Sequence, residues 1–305
     1  MDWKGWGRSS TTGFRKDTWT MPSVRRTHSA RSNGGTDLAG SPPSLRDPRY
    51  SQSLERGLAI LECFTPQSPV LGIADIADEL GMSRSTTHRY VITLVALGYL
   101  DQGASRKYRL GLRVTDLGIS VVNSTGLRDH AHAHLEELCD RMSYTASLAV
   151  LDGSEIVYLD RVRSFRRGRE IDLGLQPGSR LPAHCTAIGK LLLAYLPDAA
   201  QRDLIASMQL TKHGPNTITS KKALRSELEE VEAAGFAVDD EELAPKLHSI
   251  AAPVRNQARE VIAGIDLSAP SVTISLAELV DALTPHLVAT ADHISARLGY
   301  RRDDE

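Results

Sequence analysis

Within one stretch of seven residues the chain places Ser83, Arg84, Ser85, Thr86, His88 and Arg89. These side-chain types read nucleic acid. A guanidinium pairs bidentately with guanine, and hydroxyls bond base edges or phosphate oxygens. On a helix, Arg84, Ser85, His88 and Arg89 share one side, while Thr87, Val91, Leu94 and Val95 share the other. Such a helix buries an apolar stripe and offers a polar one to a major groove. Arg106 and Lys107, further along, supply charge for a second contact.

Other reactive groups are less organised. His184 and Cys185 are adjacent. No regular ligand spacing surrounds them, so no metal and no cofactor is expected, and Cys185 reads as a small packed residue. His130, His132 and His134 recur at every second position, which spreads them around a helix. The run Asp239, Asp240, Glu241 and Glu242 implies no paired-carboxylate geometry by itself. Five arginines between Arg161 and Arg169 read as a solvated hairpin or loop edge, with an interface or an anion contact beside a pocket as the alternative.

The elements that must position these groups follow from pattern. At 305 residues, 41% hydrophobic and 24% charged, the chain is long enough for two packed domains. Residues 1–49 carry nine basic against four acidic residues, and Ser41–Pro48 holds three prolines, so a disordered basic arm is expected, with Met21 as an alternative start. Residues 115–305 carry 20 basic and 28 acidic residues, which excludes them as a DNA surface. No apolar run reaches membrane-spanning length, and the first 20 residues lack the apolar core of a secretory signal. Cys63, Cys139 and Cys185 are far apart, giving neither a disulfide framework nor a zinc motif. A reduced, cytoplasmic protein is expected.

Residues 50–111 predict three helices and a hairpin. Leu54, Leu58 and Leu61 give a buried stripe, and Ile73, Ile76, Ala77 and Leu80 form a short helix stopped by Gly81. Ser83 sits where the cap of the next helix belongs. The hairpin beyond Gly98, with Arg106 and Lys107 near its tip, makes a wing, and the whole a winged helix-turn-helix for double-stranded DNA. Residues 112–126 form a linker helix. Residues 127–300 mix helices and strands, with a hairpin turning at Asp152-Gly153 and a closing helical region interrupted near Pro285.

The chain resembles the IclR family of bacterial transcriptional regulators. The likeness rests on SQSLERGLAIL, the winged helix-turn-helix, RLPAHCTAIGKLLLA, GFAVDDEEL and SIAAPVRN…IDLSAP. The stretch from Arg161 to Lys190 is similar to the PcaR/PcaU/PobR subgroup, which regulates aromatic-acid catabolism through the β-ketoadipate pathway. The resemblance implies an α+β fold whose C-terminal domain is a GAF-like effector domain, and a homodimer or homotetramer. It implies effector contacts at Ala187, Ile188, Asp239, Leu247, Ser249, Asp266 and Ser268. Thr186, Ser249 and Ser268 can donate to a carboxylate, and Leu247 and Ile188 give apolar walls, so the expected effector is a small carboxylic acid of aromatic type. The chain departs from the family at Lys246 and Arg259, where glycine is usual, and at Asp266, where a small neutral residue is usual. A carboxylate at 266 favours a hydroxyl-bearing ligand. The alternatives are a regulator of another carboxylic-acid pathway and a GAF-fold enzyme using Cys185. The helix-turn-helix speaks for a regulator, not an enzyme.

Overall fold

The computed structural model describes residues 50–65, 67–103, 105–124, 126–164 and 173–301, without the side chains of 119–124. The arm expected over 1–49, and Arg166, Arg167 and Arg169 of the arginine run, lie outside the described residues.

The N-terminal unit is α1 (Gln52–Glu62), α2 (Ile73–Leu80) and α3 (Arg84–Ala96), followed by the hairpin β1 (Leu100–Gln102) and β2 (Tyr108–Leu110). Its joints have local causes. The Asp75 carboxylate accepts the Gly72 amide at 2.8 Å and fixes the start of α2. Gly81 ends α2 at φ 62°, a left-handed conformation open to glycine without a Cβ penalty. Ser83 Oγ accepts the Thr86 amide at 3.2 Å and sets the direction of α3. Ile60, Ile76, Val91, Leu94, Leu100 and Tyr108 form the core that locks the three helices to the hairpin.

After α4 (Arg113–Ser124) and α5 (Leu127–Met142) comes a six-stranded antiparallel sheet. Its strands are β3 (Thr145–Asp152), β4 (Glu155–Val162), β5 (Arg180–Pro182), β6 (Ala237–Asp240), β7 (Leu247–Arg255) and β8 (Val261–Pro270). Their order is β5-β4-β3-β8-β7-β6. Strand alternation sends Ala146, Leu148, Ile250, Ala252, Ile265 and Leu267 to the face covered by α5 and by α9 (Leu276–Arg297). The other face receives α6 (Ala187–Ala194), packed in turn against α8 (Lys221–Ala234), with α7 (Asp198–Ser207) at the margin. The fold is α+β, a winged helix-turn-helix followed by a helix and a GAF-like domain.

Several expectations need correction. Leu54 and Leu58 are 63% and 52% exposed, and of α1 only Ile60 is buried. The helix turns its Ile60 face inward, with Cys63 and Phe64 just beyond it. Pro285 does not interrupt α9, which runs unbroken for 22 residues. Burial of the flanking Leu283 and Leu287 holds the helix through the lost amide. The β3–β4 turn is Gly153-Ser154, because Asp152 still pairs with Glu155. Strands β5 and β6 and helix α7 were not expected. Lys246 and Arg259 both adopt left-handed backbone, at φ 65° and 66°, where the resemblance implies glycine.

Candidate functional site

On α3 the stripes separate as the spacing requires. Ser83, Arg84, Ser85, His88 and Arg89 are exposed and Thr86 is half-buried, while Thr87, Val91 and Leu94 are buried. Ser83 is occupied as the cap, and its hydroxyl also donates to Thr86 Oγ1 at 2.8 Å. It therefore positions the stripe, leaving the guanidinium groups and His88 as the groups that stand out. Arg106 and Lys107 are exposed in the β1–β2 turn, Arg106 at φ 56°. Arg113 donates to the Leu97 carbonyl at 3.1 Å and lies over the Tyr99 ring, pinning the start of α4 to the base of the wing.

The second site is a cleft in the α6 face of the sheet. Register builds it. Asp239 on β6 lies opposite Ser249 on β7, which lies opposite Ser268 on β8, which lies opposite Thr145 on β3. The next row sets Ala251, Asp266, Ser147 and Arg161 side by side. Residues opposite one another in antiparallel pairs project to the same face, so both rows point into the cleft side. Tyr158, Leu173, Leu175, Leu243 and Leu247 complete the walls. The cleft is open at its mouth, and about 470 Å³ of space, solvent at the mouth included, lies between these walls.

Of the expected effector residues, Thr186, Asp239, Leu247, Ser249, Asp266 and Ser268 line this cleft. Ala187 and Ile188 do not; both are buried, and Ile188 packs against Gly264, where an added Cβ would meet its Cγ2 at 2.9 Å. The Thr186 hydroxyl is committed elsewhere than expected. It accepts the Gly189 amide at 3.1 Å and donates to the Pro182 carbonyl at 3.2 Å, capping α6. Glycine at 189 is required by this close approach, since a Cβ would stand 2.4 Å from Thr186 Oγ1.

The electrostatics are unusual for a cleft. Asp239 and Asp266 are 1% and 3% exposed. Burial, reinforced by the Glu242 charge, pushes Asp239 up to about 8, although the Glu242 amide bonds its Oδ1 at 2.7 Å. Burial pushes Asp266 up to about 6 against the opposing pull of Arg161. Asp239 Oδ2 and Asp266 Oδ1 have no hydrogen-bond partner among the described residues. Arg161, expected on a solvated edge, instead lines the wall and bonds Ser147 Oγ at 3.2 Å.

Lys190 was also missed. It is 1% exposed and its ammonium bonds Glu227 at 2.6 Å and Glu242. The chain Asp239–Glu242–Lys190–Glu227 thus joins the cleft to α6 and α8. A lysine inside a run as apolar as AIGKLLLA was the signal for a buried partner. Cys185 is fully buried and burial pushes its thiol well up, which removes the thiolate that a nucleophile needs. His213, distant in sequence, comes beside His184 and Cys185.

Among the described residues no helix is long and apolar enough to cross a membrane. The profile of the IclR helix-turn-helix domain matches residues 53–104, and that of the bacterial transcriptional regulator IclR C-terminal domain matches residues 119–296. The chain is 38% identical over 251 residues to the HTH-type transcriptional regulator XynR of Escherichia coli, covering 82% of this chain and 98% of XynR. It is 31% identical to the Pca regulon regulatory protein of Pseudomonas putida, over 83% of this chain and 86% of that protein. A crystal structure of an IclR homolog from Microbacterium hydrocarbonoxydans, complexed with 4-hydroxybenzoate, superposes with a TM-score of 0.71 at 28% identity, over 81% of this chain and 99% of that one. These relatives bear the names of transcriptional regulators, and none is named as an enzyme. With both its DNA-reading fold and its C-terminal sheet matched, the chain belongs to the IclR family of bacterial transcriptional regulators.

Proposed function

We propose that the chain is a ligand-responsive regulator controlled by a small, hydroxyl-bearing carboxylic acid, with the hydroxybenzoates and related acids of aromatic catabolism as the leading class. Residues 50–111 bind the operator, 112–126 link, and 127–300 hold the effector. Arg84, Ser85, Thr86, His88 and Arg89 enter the major groove, Ser83 sets their direction, and Arg106 and Lys107 take flanking phosphates. One such module binds weakly, so two copies read two half-sites. The exposed leucines 54, 58, 112 and 117 suit that pairing.

The observation that carries the effector reading is the row of polar groups across the sheet. Arg161 supplies the cation for a carboxylate. The two buried carboxyl oxygens without partners, on Asp239 and Asp266, call for hydroxyl or water protons. Ser249 and Ser268 stand between them, and the leucine walls accept a ring. The relatives named above for the Pca regulon and the 4-hydroxybenzoate complex support the aromatic class. A second reading, an aliphatic hydroxy acid of another catabolic pathway, draws on the same two carboxyls.

The test is a gel shift on the DNA flanking the protein's own gene, repeated with protocatechuate, p-hydroxybenzoate, β-ketoadipate and an aliphatic sugar acid. An aromatic acid that alters the shift, with the response blunted in Ser249→Ala and Asp239→Ala, supports the first reading. A response to the sugar acid alone selects the second. Unchanged calorimetric affinity in both variants removes the cleft from the account.

A further inference from the structure

We propose that His184, Cys185 and His213 form a site for one zinc-class divalent cation, with its fourth position open to water, which ties the segment between α7 and α8 to the turn that begins α6. One ring nitrogen from each histidine and the Cys185 sulfur lie within 4.8 Å of one another. Two imidazoles and a thiolate are the ligand set of zinc, with sulfur and nitrogen bonds of roughly 2.0–2.3 Å, so a modest closure of side chains completes the site. The set is a poor match for magnesium or calcium, which take oxygen.

Second-layer geometry supports a ligand role. The Thr211 carbonyl lies 3.0 Å from His184 Nε2 and can only accept, so that nitrogen carries the proton and Nδ1 keeps the lone pair a metal needs. This is the backbone clamp that orients metal-bound histidines. His213 is itself held, its amide bonding Thr217 Oγ1 at 2.9 Å, and Thr217 Oγ1 in turn donates to the Glu242 carbonyl at 2.6 Å. His184 and Cys185 are buried and His213 is half-buried, which leaves an entry on the His213 side. On binding, the sulfur–proton bond is exchanged for a sulfur–metal bond and one proton leaves to solvent. Because Thr186 follows Cys185 directly and lines the cleft, the ion would stiffen the cleft's edge.

Full-length protein, stripped with a chelator under reducing conditions, is loaded with Co(II) as a spectroscopic probe. The expected result is one Co(II) per chain, with visible bands of tetrahedral geometry and a near-ultraviolet thiolate charge-transfer band, both erased by Zn(II). Cys185→Ala removes the charge-transfer band. His213→Gln, at the accessible edge, weakens binding at least tenfold and abolishes the rise in Tm caused by Zn(II). Should Cys185→Ala fail to fold, the His213→Gln titration decides alone. Co(II) uptake without a thiolate band, no uptake by the stripped wild type, or equal affinity in His213→Gln overturns the site. None of these readouts depends on operator or effector binding.

Discussion

The polar groups of α3 stand in water, whereas those of the cleft are sunk into the sheet. Arg84, Ser85, His88 and Arg89 make one exposed stripe on a single short helix. Asp239, Ser249, Asp266 and Ser268 are drawn from β6, β7 and β8; the first three are buried and Ser268 is half-buried, and Asp239 is linked through Glu242 to the buried Lys190. The first surface can change residues without disturbing the fold. The second is tied to the fold through Lys190, whose buried ammonium is held by Glu242 and Glu227.

Lys190→Met is the most severe test of that difference. It leaves Glu242, 5% exposed, without its cation, and removing one member of a buried pair costs about 3–5 kcal/mol. Urea unfolding should show a loss of that order together with a lost effector response. A loss below about 1 kcal/mol would mean that the Lys190–Glu242 contact does not hold the cleft to α6.

Arg84→Ala and Arg89→Ala probe the other region. Each should weaken operator binding by about 1–3 kcal/mol, roughly five- to 150-fold, with Tm and effector affinity unchanged. A drop in Tm comparable to that of Lys190→Met would erase the contrast.

How much of each region could be read in advance follows from the same geometry. The α3 face was legible because every determinant is a sequence neighbour: the Gly81 stop, the Ser83 cap and the alternating stripes. The cleft was reached only through family likeness, which singled out Asp239, Ser249, Asp266 and Ser268, all in its lining, together with Ala187 and Ile188, which are buried outside it. For Arg161 the sequence left a solvated edge ahead of a pocket contact, because its place depends on β4 pairing with β3 opposite Ser147, a register that no local pattern states. His213 was missed for the same reason, being brought to His184 by the path between α7 and α8. The exposed Leu54 and Leu58 show the converse limit: helical spacing identifies a stripe but not which of two stripes the core takes.

The pH dependence of effector binding sharpens the account of the cleft. Below about 6 both aspartates are neutral and Arg161 leaves the cleft positive. Above about 6 Asp266 ionises and offsets that charge, and above about 8 Asp239 ionises as well and makes the cleft negative. Affinity for a carboxylate should therefore fall as pH rises from 5.5 to 8.5, by about tenfold for each unit by which the bound anion raises an aspartate's pKa. Asp266→Asn should flatten the lower part of the profile. An affinity that rises with pH would reverse the assigned polarity of the cleft.

The smallest effect is expected at Arg259, which lies at the tip of the β7–β8 hairpin and in neither region. Its φ of 66° is costly for a residue with a Cβ, by roughly 1–2 kcal/mol. Glycine relieves this but adds freedom to the unfolded chain, which offsets part of the gain. Arg259→Gly should therefore stabilise by about 0.5–1 kcal/mol, raising Tm by roughly 1–4 °C in a chain of this size. The Arg255 guanidinium donates to the carbonyl of residue 259, a bond glycine retains, so the hairpin register should persist. Ser249, Asp266 and Ser268 ride on that register, and effector affinity should stay within twofold of wild type. A stabilised variant with altered effector affinity would mean that strain at the hairpin tip reaches the cleft.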